Sequence, residues 1–290
     1  MRYFLFIILI GFLSACEKSV DFKLNKITPK LVVEATIEND QPPVVILTNS
    51  INYFSRITPE LLAQSFVRGA EVFVSNGSKT HKLKEYSLAL PDNYNLYYYS
   101  IDSADLSTAF TGQLNTEYSL RILSAGEEYN ATTTIPGFHK QIDSVYWKPR
   151  PRDTSEVSIV VKATDAIGYG DYVRYWTKTN SEPLLPGIAS VFDDLVIDGT
   201  TYELEVEPGV NRNSDIKLEE LAFKKGDTVT LKLSGINKQT YDFWRTMEYT
   251  YASVGNPFSS PIKVTSNISN GALGYFGGYA SQYRTIIIPQ

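Results

Sequence analysis

The chain has 290 residues, and its 27 Lys and Arg against 32 Asp and Glu give a formal charge of −5 at pH 7. A mildly acidic chain without a basic tract is a poor candidate for binding nucleic acid, so we expect no nucleic-acid partner. Cys16 is the only cysteine. A disulfide within the chain is therefore excluded, and the fold must be stabilised by its apolar cores.

The first residues have the layout of a bacterial lipoprotein signal peptide. A short cationic head precedes an apolar run over residues 4–13, which as a helix covers only about half of a roughly 30 Å hydrocarbon core. Leu13, Ser14 and Ala15 then match the signal-peptidase recognition sequence that precedes a lipidated cysteine. We therefore predict cleavage after residue 15 and acylation of Cys16, whose two or three acyl chains would anchor the protein permanently. The alternative is an ordinary signal peptide that leaves a free thiol.

The segment after the cysteine predicts a tether followed by a first β domain. Residues 16–29 are polar and mixed in charge, as expected of a linker. Residues 30–137 contain short alternating strands, such as the Leu31 to Ile37 stretch, and a hairpin at Asn76-Gly77. Thr58 and Pro59 predict the start of a short helix over about 59–67. The spacing of strands and turns favours a β-sandwich in this region.

The remaining residues, 138–290, predict a second β-rich domain with one helix. Val157, Ile159, Val161 and Ala163 alternate as one face of a strand, and a helix is predicted near 238–253 because apolar residues recur there at helical spacing. Those recurring residues are Tyr241, Trp244, Met247 or Glu248, and Tyr251. The predicted fold is mainly β, with two β-sandwich-like (immunoglobulin- or fibronectin-like) domains, the second carrying a packed α-helix.

The sequence offers no catalytic constellation. His81 and His139 are the only histidines, too few for a transition-metal site and badly placed for a Ser-His-Asp arrangement, and we interpret both as surface residues. Asp193, Asp194 and Asp198 lack the spacing of a known calcium loop and are interpreted as part of a turn. We therefore expect no enzyme activity, no cofactor and no metal site, although a glycosidase that needs only two carboxylates stays open.

The glycine-rich segment over residues 271–278, GALGYFGG, superficially looks like a phosphate-binding loop. It lacks the terminal Lys-Ser/Thr and is not followed by a predicted helix. Glycines that alternate with Tyr275 and Phe276 are more typical of a bulged strand or of close packing between backbones.

Four segments make the sequence recognisable as a whole: 16–37, 191–202, 224–244 and 256–280. Together they resemble the Bacteroidota outer-membrane lipoproteins called the domain of unknown function 4249 family. The most specific parts are Asn256-Pro257-Phe258 and the segment 271–276. The resemblance implies an outer-membrane lipoprotein in bacteria whose lipoproteins often face outward and work with TonB-dependent β-barrel transporters. It implies no catalytic residues.

We therefore hypothesise a lipid-anchored, non-enzymatic accessory protein that docks on an outer-membrane β-barrel and assists nutrient uptake, facing the cell surface. The alternatives are an independent glycan- or peptide-binding lipoprotein, with aromatics as stacking platforms, and a structural or assembly factor of an outer-membrane complex. The platforms would be Tyr97, Tyr98, Tyr99, Trp147 and Trp176. Candidate interface residues are Tyr275, Phe276, Tyr279, Leu61 and Leu62, since their segments mix aromatics or leucines with flexible flanks. Ordinary core packing of the same residues is the open alternative.

Mass spectrometry of the mature protein tests the anchor. We expect the mature chain to begin at Cys16 and to carry acyl chains on that residue, because the cationic head, apolar run and cleavage sequence are in register. An unmodified Cys16 thiol in the mature protein would contradict the prediction.

Overall fold

The computed structural model describes residues 28–52, 55, 57–90, 94–151, 153, 155–212, 221–254, 256, 258–260 and 262–290. The predicted signal peptide, Cys16 and most of the tether lie outside these residues. Within them the protein is mainly β, as predicted. Neither helix in the described ranges is long and apolar enough to cross a membrane.

The strands are numbered in chain order: β1 (Leu31–Glu38), β2 (Val44–Asn49), β3 (Glu71–Ser75), β4 (Thr80–Ala89), β5 (Asn95–Ser100), β6 (Thr116–Ser124), β7 (Glu127–Ile135), β8 (Lys140–Pro149), β9 (Glu156–Asp165), β10 (Tyr172–Thr179), β11 (Leu185–Asp193), β12 (Thr201–Val206), β13 (Phe223–Lys224), β14 (Thr228–Ile236) and β15 (Leu273–Ile287). The helices are α1 (Pro59–Ser65) and α2 (Lys238–Ala252).

Eleven of the described strands form one sheet, in the order β11-β10-β14-β15-β1-β2-β5-β4-β3-β6-β7. The sheet turns at β4, whose first residues pair with β3 and whose later residues pair with β5. The β7 end of the path therefore folds back over the sheet, and β7 meets β15 and the segment before it, where Asn267 Nδ2 donates to Thr132 O at 3.1 Å. This curvature encloses the first core.

The first core combines both ends of the chain. Val33, Ala35 and Ile37 of β1 are buried there, as the alternation predicted. Phe276 and Ala280 of β15 are each 0% exposed in the same core. Residues 30–137 therefore do not complete a core by themselves, which corrects the prediction of a self-contained sandwich ending at residue 137.

A second, four-stranded sheet has β9 at its centre, with β8 on one side and both β12 and β13 on the other. The predicted face of β9, from Val157 to Ala163, is buried against β10 and β14 in a second core. The alternation expected for this strand is confirmed. The second core thus lies between the small sheet and one end of the large sheet.

Helix α2 begins as its sequence predicts and packs on the opposite side of the large sheet. The Asn237 side chain accepts a hydrogen bond from Thr240 N at 2.9 Å, which caps the first turn. Tyr241 and Phe243 are buried in a third apolar cluster with β15. Tyr251, however, is 43% exposed, so its assignment to the packed face is wrong.

Two other local predictions have clear outcomes. Thr58 caps α1 by accepting from Leu61 N at 3.3 Å, as expected, and the helix ends at Ser65. The alternation of Tyr118, Leu120 and Ile122 predicts one final strand in the first region, and the structure has the β6–β7 hairpin there instead. Ala125 and Gly126 form its turn with φ of 51° and 81°, a pair of positive values that is typical of a type I′ turn.

The glycine-rich segment permits close approach of backbones, as predicted for it. Gly274 has φ +93°, and a Cβ there would lie 1.9 Å from Val33 O. A Cβ on Gly278 would lie 2.5 Å from Thr134 O in β7. These two glycines let β15 pass between β1 and β7, because any side chain would occupy the space of a neighbouring carbonyl.

Gly274→Ala should lower the free energy of unfolding by about 3 kcal/mol or more, since strain at positive φ adds to a backbone collision. Gly271→Ala is the matched control: Gly271 has φ +70° but no heavy atom within 4 Å of its ideal Cβ. The control should lose only about 1–2 kcal/mol in urea unfolding. Equal losses in the two variants would contradict the close approach.

Candidate functional site

The face of the large sheet opposite the cores carries charged and aromatic side chains. On β1 this face presents Glu34 and Glu38, which lie beside Tyr275 and Tyr279 of β15 in the parallel register. Together with α2 and the segments 184–186 and 210–212, it forms a cavity of about 530 Å³. We call it the Arg174 cavity, because a buried arginine lies in its wall.

Arg174 is the main charged feature of the cavity. It is 3% exposed, and among the described residues no carboxylate lies within 4 Å of its guanidinium. Its Cζ instead lies 3.3 Å from the ring centroid of Trp244 and 4.7 Å from that of Trp176. Burial lowers the pKa of Arg174, and the nearby hydroxyls of Tyr275 and Tyr279 and the charge of Glu248 oppose that shift. The aromatic rings thus hold a cation without a direct ionic partner.

One nitrogen of Arg174 is fixed by a buried polar chain. Arg174 Nε donates to Ser190 Oγ at 3.2 Å, and Glu248 accepts from Ser190 N at 3.1 Å. Glu248 also forms an ion pair with Arg212 at 3.2 Å. The Glu248 carboxylate accepts from Ser190 and pairs with Arg212, so it orients Arg174 only through Ser190 and does not contact the guanidinium.

Lys232 and Glu38 form a separate ion pair within the cavity, and Glu38 also accepts a hydrogen bond from Tyr283 at 2.7 Å. The side-chain carboxylate of Glu34, by contrast, has no ion-pair or hydrogen-bond partner among the described residues. Surrounding protein desolvates its carboxyl group and raises its pKa, while the charge of Arg174 acts in the opposite direction. The cavity therefore presents one unpaired cation and one unpaired carboxylate.

The two tyrosines of the cavity are held close together by the glycine between them. A Cβ on Gly277 would lie 2.8 Å from the Tyr275 ring and 3.1 Å from the Tyr279 ring. Tyr279 accepts a hydrogen bond from Trp244 Nε1 at 3.0 Å. The Tyr275 ring stacks on Phe243 with 4.4 Å between centroids. The floor of the cavity is consequently rigid and aromatic.

Two more cavities continue along the same face. The first, about 370 Å³, shares Glu34 and Tyr275 with the Arg174 cavity and is lined by apolar residues of α2 such as Met247. The second, about 620 Å³, shares Val32 with the first and is lined by Leu62 of α1. The sheet face thus presents one row of depressions from α1 to the Arg174 cavity.

The predicted interface residues are only partly at the surface. Phe276 is 0% exposed, and Tyr275 and Tyr279 are each 4% exposed, which corrects the expectation that these three present a surface for a partner. They are buried because both faces of β15 are covered: Phe276 packs in the first core, and Tyr275 and Tyr279 pack in the third cluster under α2. Leu62 is 47% exposed and Leu61 is half-buried, so the prediction for α1 stays a prediction.

The aromatics predicted as stacking platforms are occupied by other contacts. Tyr99 is 1% exposed, Tyr97 lies under Arg68 at 4.1 Å, and Tyr98 stacks on Tyr86 at 5.6 Å. Trp147 packs against the second core. Trp176 lines the Arg174 cavity.

The histidines differ from each other. His81 is 2% exposed, and its Nε2 accepts a hydrogen bond from Asp102 N at 3.1 Å, so its assignment to the surface is wrong. His139 is exposed, as predicted, and contacts Asp171 at 2.7 Å.

Sequence reasoning did not single out Arg174, Glu34, Lys232 or Glu248. One signal was available on β10, where Arg174 alternates with apolar residues and shares its face with Tyr172 and Trp176. A charged residue within such a strand is typical of a buried polar contact or a site. Its partners come from other strands, however, and no local pattern identifies them.

Comparison with known proteins gives a family but no activity. Residues 17–285 match the family described as Domain of unknown function (DUF4249), and the chain belongs to that family. No curated protein matches the sequence. Among solved structures, the chain is similar to a DUF4785 family protein from Legionella pneumophila, with 8% identity and a TM-score of 0.23. That alignment covers 71% of this chain and 51% of the other, so the chain spans about half of that protein's length.

Glu34→Gln should stabilise the protein at pH 7 and have little effect below the ordinary glutamate pKa of 4.5. Because the folded-state pKa of Glu34 is raised, the wild-type protein loses stability as the pH rises through 4.5 and through the higher folded value. The glutamine variant lacks that loss. Urea unfolding at pH 7 and at a pH below 4.5 measures the difference in unfolding free energy between variant and wild type. The exposed Glu117→Gln is the control. A less stable Glu34→Gln variant at pH 7 would show that attraction to Arg174 outweighs desolvation.

Proposed function

We propose that the protein is a lipid-anchored, non-enzymatic binding protein of the outer membrane that holds a short peptide in the Arg174 cavity and delivers it to a TonB-dependent β-barrel transporter. The observation that carries the binding role is the buried guanidinium of Arg174, which faces a cavity without a direct anionic partner among the described residues. A buried cation of this kind is costly unless an anion or hydrogen-bond acceptors compensate it. A ligand carboxylate would supply that compensation.

The charges of the cavity favour a ligand that carries both a positive and a negative group. Lys232 is paired with Glu38, and Arg212 is paired with Glu248. Arg174 and Glu34 remain, so a ligand carboxylate at Arg174 and a ligand amino group at Glu34 would match both. Peptides and amino acids carry these two groups, and the aromatic floor suits their apolar side chains.

A peptide fits better than a neutral glycan. Sugars bind by stacking on free aromatic faces, but Trp244 is stacked against Arg174, and Trp176 lies within 4.8 Å of both Arg174 and Lys232. Cations already contact these rings. The two tryptophan faces are therefore not free for a sugar ring.

The membrane location rests on the sequence. Leu13, Ser14, Ala15 and Cys16 match a lipoprotein cleavage site, and the family match begins at residue 17, directly after the cysteine. The resemblance to Bacteroidota lipoproteins supports an outward-facing protein with a barrel partner. An assembly factor would need no such cavity, which makes it the weaker alternative.

Isothermal calorimetry with a library of short peptides tests the binding role. We expect at least one peptide to bind, its C-terminal amide to bind less tightly, and Arg174→Met to weaken binding by about 10-fold to 100-fold, as expected for loss of a charge-assisted hydrogen bond. Arg284→Met is the matched control, since Arg284 is exposed on β15 and outside the cavity. Binding that is unchanged in Arg174→Met, or absent for every peptide while acidic oligosaccharides bind, would contradict peptide capture.

The transporter role needs a separate experiment. Affinity purification of the full chain from membranes in a mild detergent should recover a β-barrel protein. Recovery without any barrel protein would remove the transporter from the proposal and leave the cavity as an independent binding site.

A further inference from the structure

Three carboxylates from the loop after β9 and the turn after β11 meet at one end of the small sheet. Asp165, Asp171 and Asp194 each place a carboxylate oxygen within 4.8 Å of the others. Asp165 is 3% exposed, Asp194 is 1% exposed and Asp171 is half-buried. Groups of the same charge at these distances repel strongly unless a cation lies between or beside them.

The backbone holds this cluster in a defined geometry. Asp165 ends β9, and a loop with positive φ at Gly168 (131°) and Gly170 (112°) leads to Asp171. Asp194 follows β11 and accepts hydrogen bonds from Gly170 N at 2.9 Å and from Asp171 N at 3.1 Å. The loop after β9 and the turn after β11 are therefore tied to each other through a buried carboxylate.

The positive charge around the cluster does not balance it. Lys140 forms an ion pair with Asp165 Oδ1, and His139 Nδ1 contacts Asp171 Oδ1 at 2.7 Å. Three carboxylates and one lysine leave two negative charges. A single divalent cation would neutralise that charge.

A second observation points to a ligand at this place. Among the described residues, the buried Asp165 Oδ2 has no hydrogen-bond partner, and neither has the buried hydroxyl oxygen of Tyr202 on the adjacent strand β12. Burial raises the pKa of Tyr202, and the charge of Asp165 raises it further. A buried carboxylate oxygen without a partner is rare in native proteins and destabilising, so a cation or water is expected beside it.

We infer that Asp165, Asp171 and Asp194 form a calcium site. Carboxylate oxygens are the ligands that calcium prefers, and calcium accepts irregular geometry completed by water and backbone carbonyls. Zinc sites favour nitrogen and sulfur ligands, and within the part of the chain that the structure describes only His139 offers one beside the cluster. The site would join the loop after β9 to the turn after β11 and hold both against β8.

The site is not the one that a local pattern suggests. Of the aspartates in the 193–198 segment, Asp193 accepts from Tyr241 Oη at 2.9 Å and Asp198 accepts from Gly168 N at 2.7 Å. Only Asp194 takes part in the cluster. Asp165 and Asp171, the other two members of the cluster, lie at the two ends of the β9–β10 loop.

Calorimetry of the full-length, chelator-treated protein with calcium chloride tests the inference. We expect binding at about 10⁻⁴–10⁻³ M, the range of extracellular calcium modules, with a rise in Tm. Calcium should also slow chymotrypsin cleavage after Tyr169 and Leu195, which are 74% and 69% exposed on the two loops that the ion would join.

Asp171→Asn should weaken calcium binding at least tenfold, because it removes one charge while the amide oxygen keeps the contact to His139. Asp198→Asn is the matched control and should bind as the wild type, since Asp198 lies on the neighbouring turn outside the cluster. Asp194→Asn provides a second variant if Asp171→Asn is unstable.

Three results would overturn the calcium site. The first is the absence of both heat and a Tm change with calcium up to about 10 mM, well above the expected range. The second is an unchanged calcium response in Asp171→Asn and Asp194→Asn. The third is a response to zinc without a response to calcium. Each outcome is independent of peptide binding in the Arg174 cavity, so the two proposals fail separately.

Discussion

The parallel pairing of β1 with β15 is the interaction on which the rest of the fold depends. It joins the first described strand of the chain to the last and places Val33 beside Gly274 and Ile37 beside Gly278. Gly274 removes the side chain that would collide with the Val33 backbone of β1, and Gly278 removes the one that would collide with the Thr134 backbone of β7. As a result, Phe276 fills a core built mainly by the first half of the chain, and burial of a side chain of that size contributes about 1.5–3 kcal/mol.

The same pairing creates the Arg174 cavity on the other face. Since side chains alternate across a strand, the residues that flank Val33 and Ala35 must point away from the core. Glu34 and Glu38 are placed in this way beside Tyr275 and Tyr279. Strands β10 and β14 extend the face with Arg174 and Lys232, and α2 covers it with Trp244. The site therefore combines a rigid aromatic floor with charges from distant parts of the sequence.

The Arg174 cavity and the acidic cluster are connected through two adjacent residues at the end of β11. Asp193 accepts a hydrogen bond from Tyr241 of α2, whose pKa rises to about 12, mainly because the hydroxyl is buried and also because of that carboxylate. Asp194 points to the cluster with Asp165 and Asp171. An ion bound there would fix the turn that also holds α2.

The sequence by itself determined the local structure and the predicted anchor. Period-two alternation identified the buried face of β1 and of β9, Thr58 marked the start of α1, helical spacing located α2, and the glycine-rich segment was correctly interpreted as close backbone packing. These features depend on residues that are neighbours in the chain. Cys16 and its cleavage site were likewise identified from a local pattern, and they stay a prediction.

Only the tertiary structure decided which residues meet. The sequence divided the chain at residue 137, but β15 lies between β14 and β1, because strand pairing depends on long-range complementarity that no local window contains. It suggested surface positions for His81, Tyr275 and Phe276, which an interior position in the fold buries. Arg174 with Glu34, and Asp165 with Asp194, come together from separate strands. Their chemistry is a property of the assembled sheets, since the charges interact only at the distances that the fold sets.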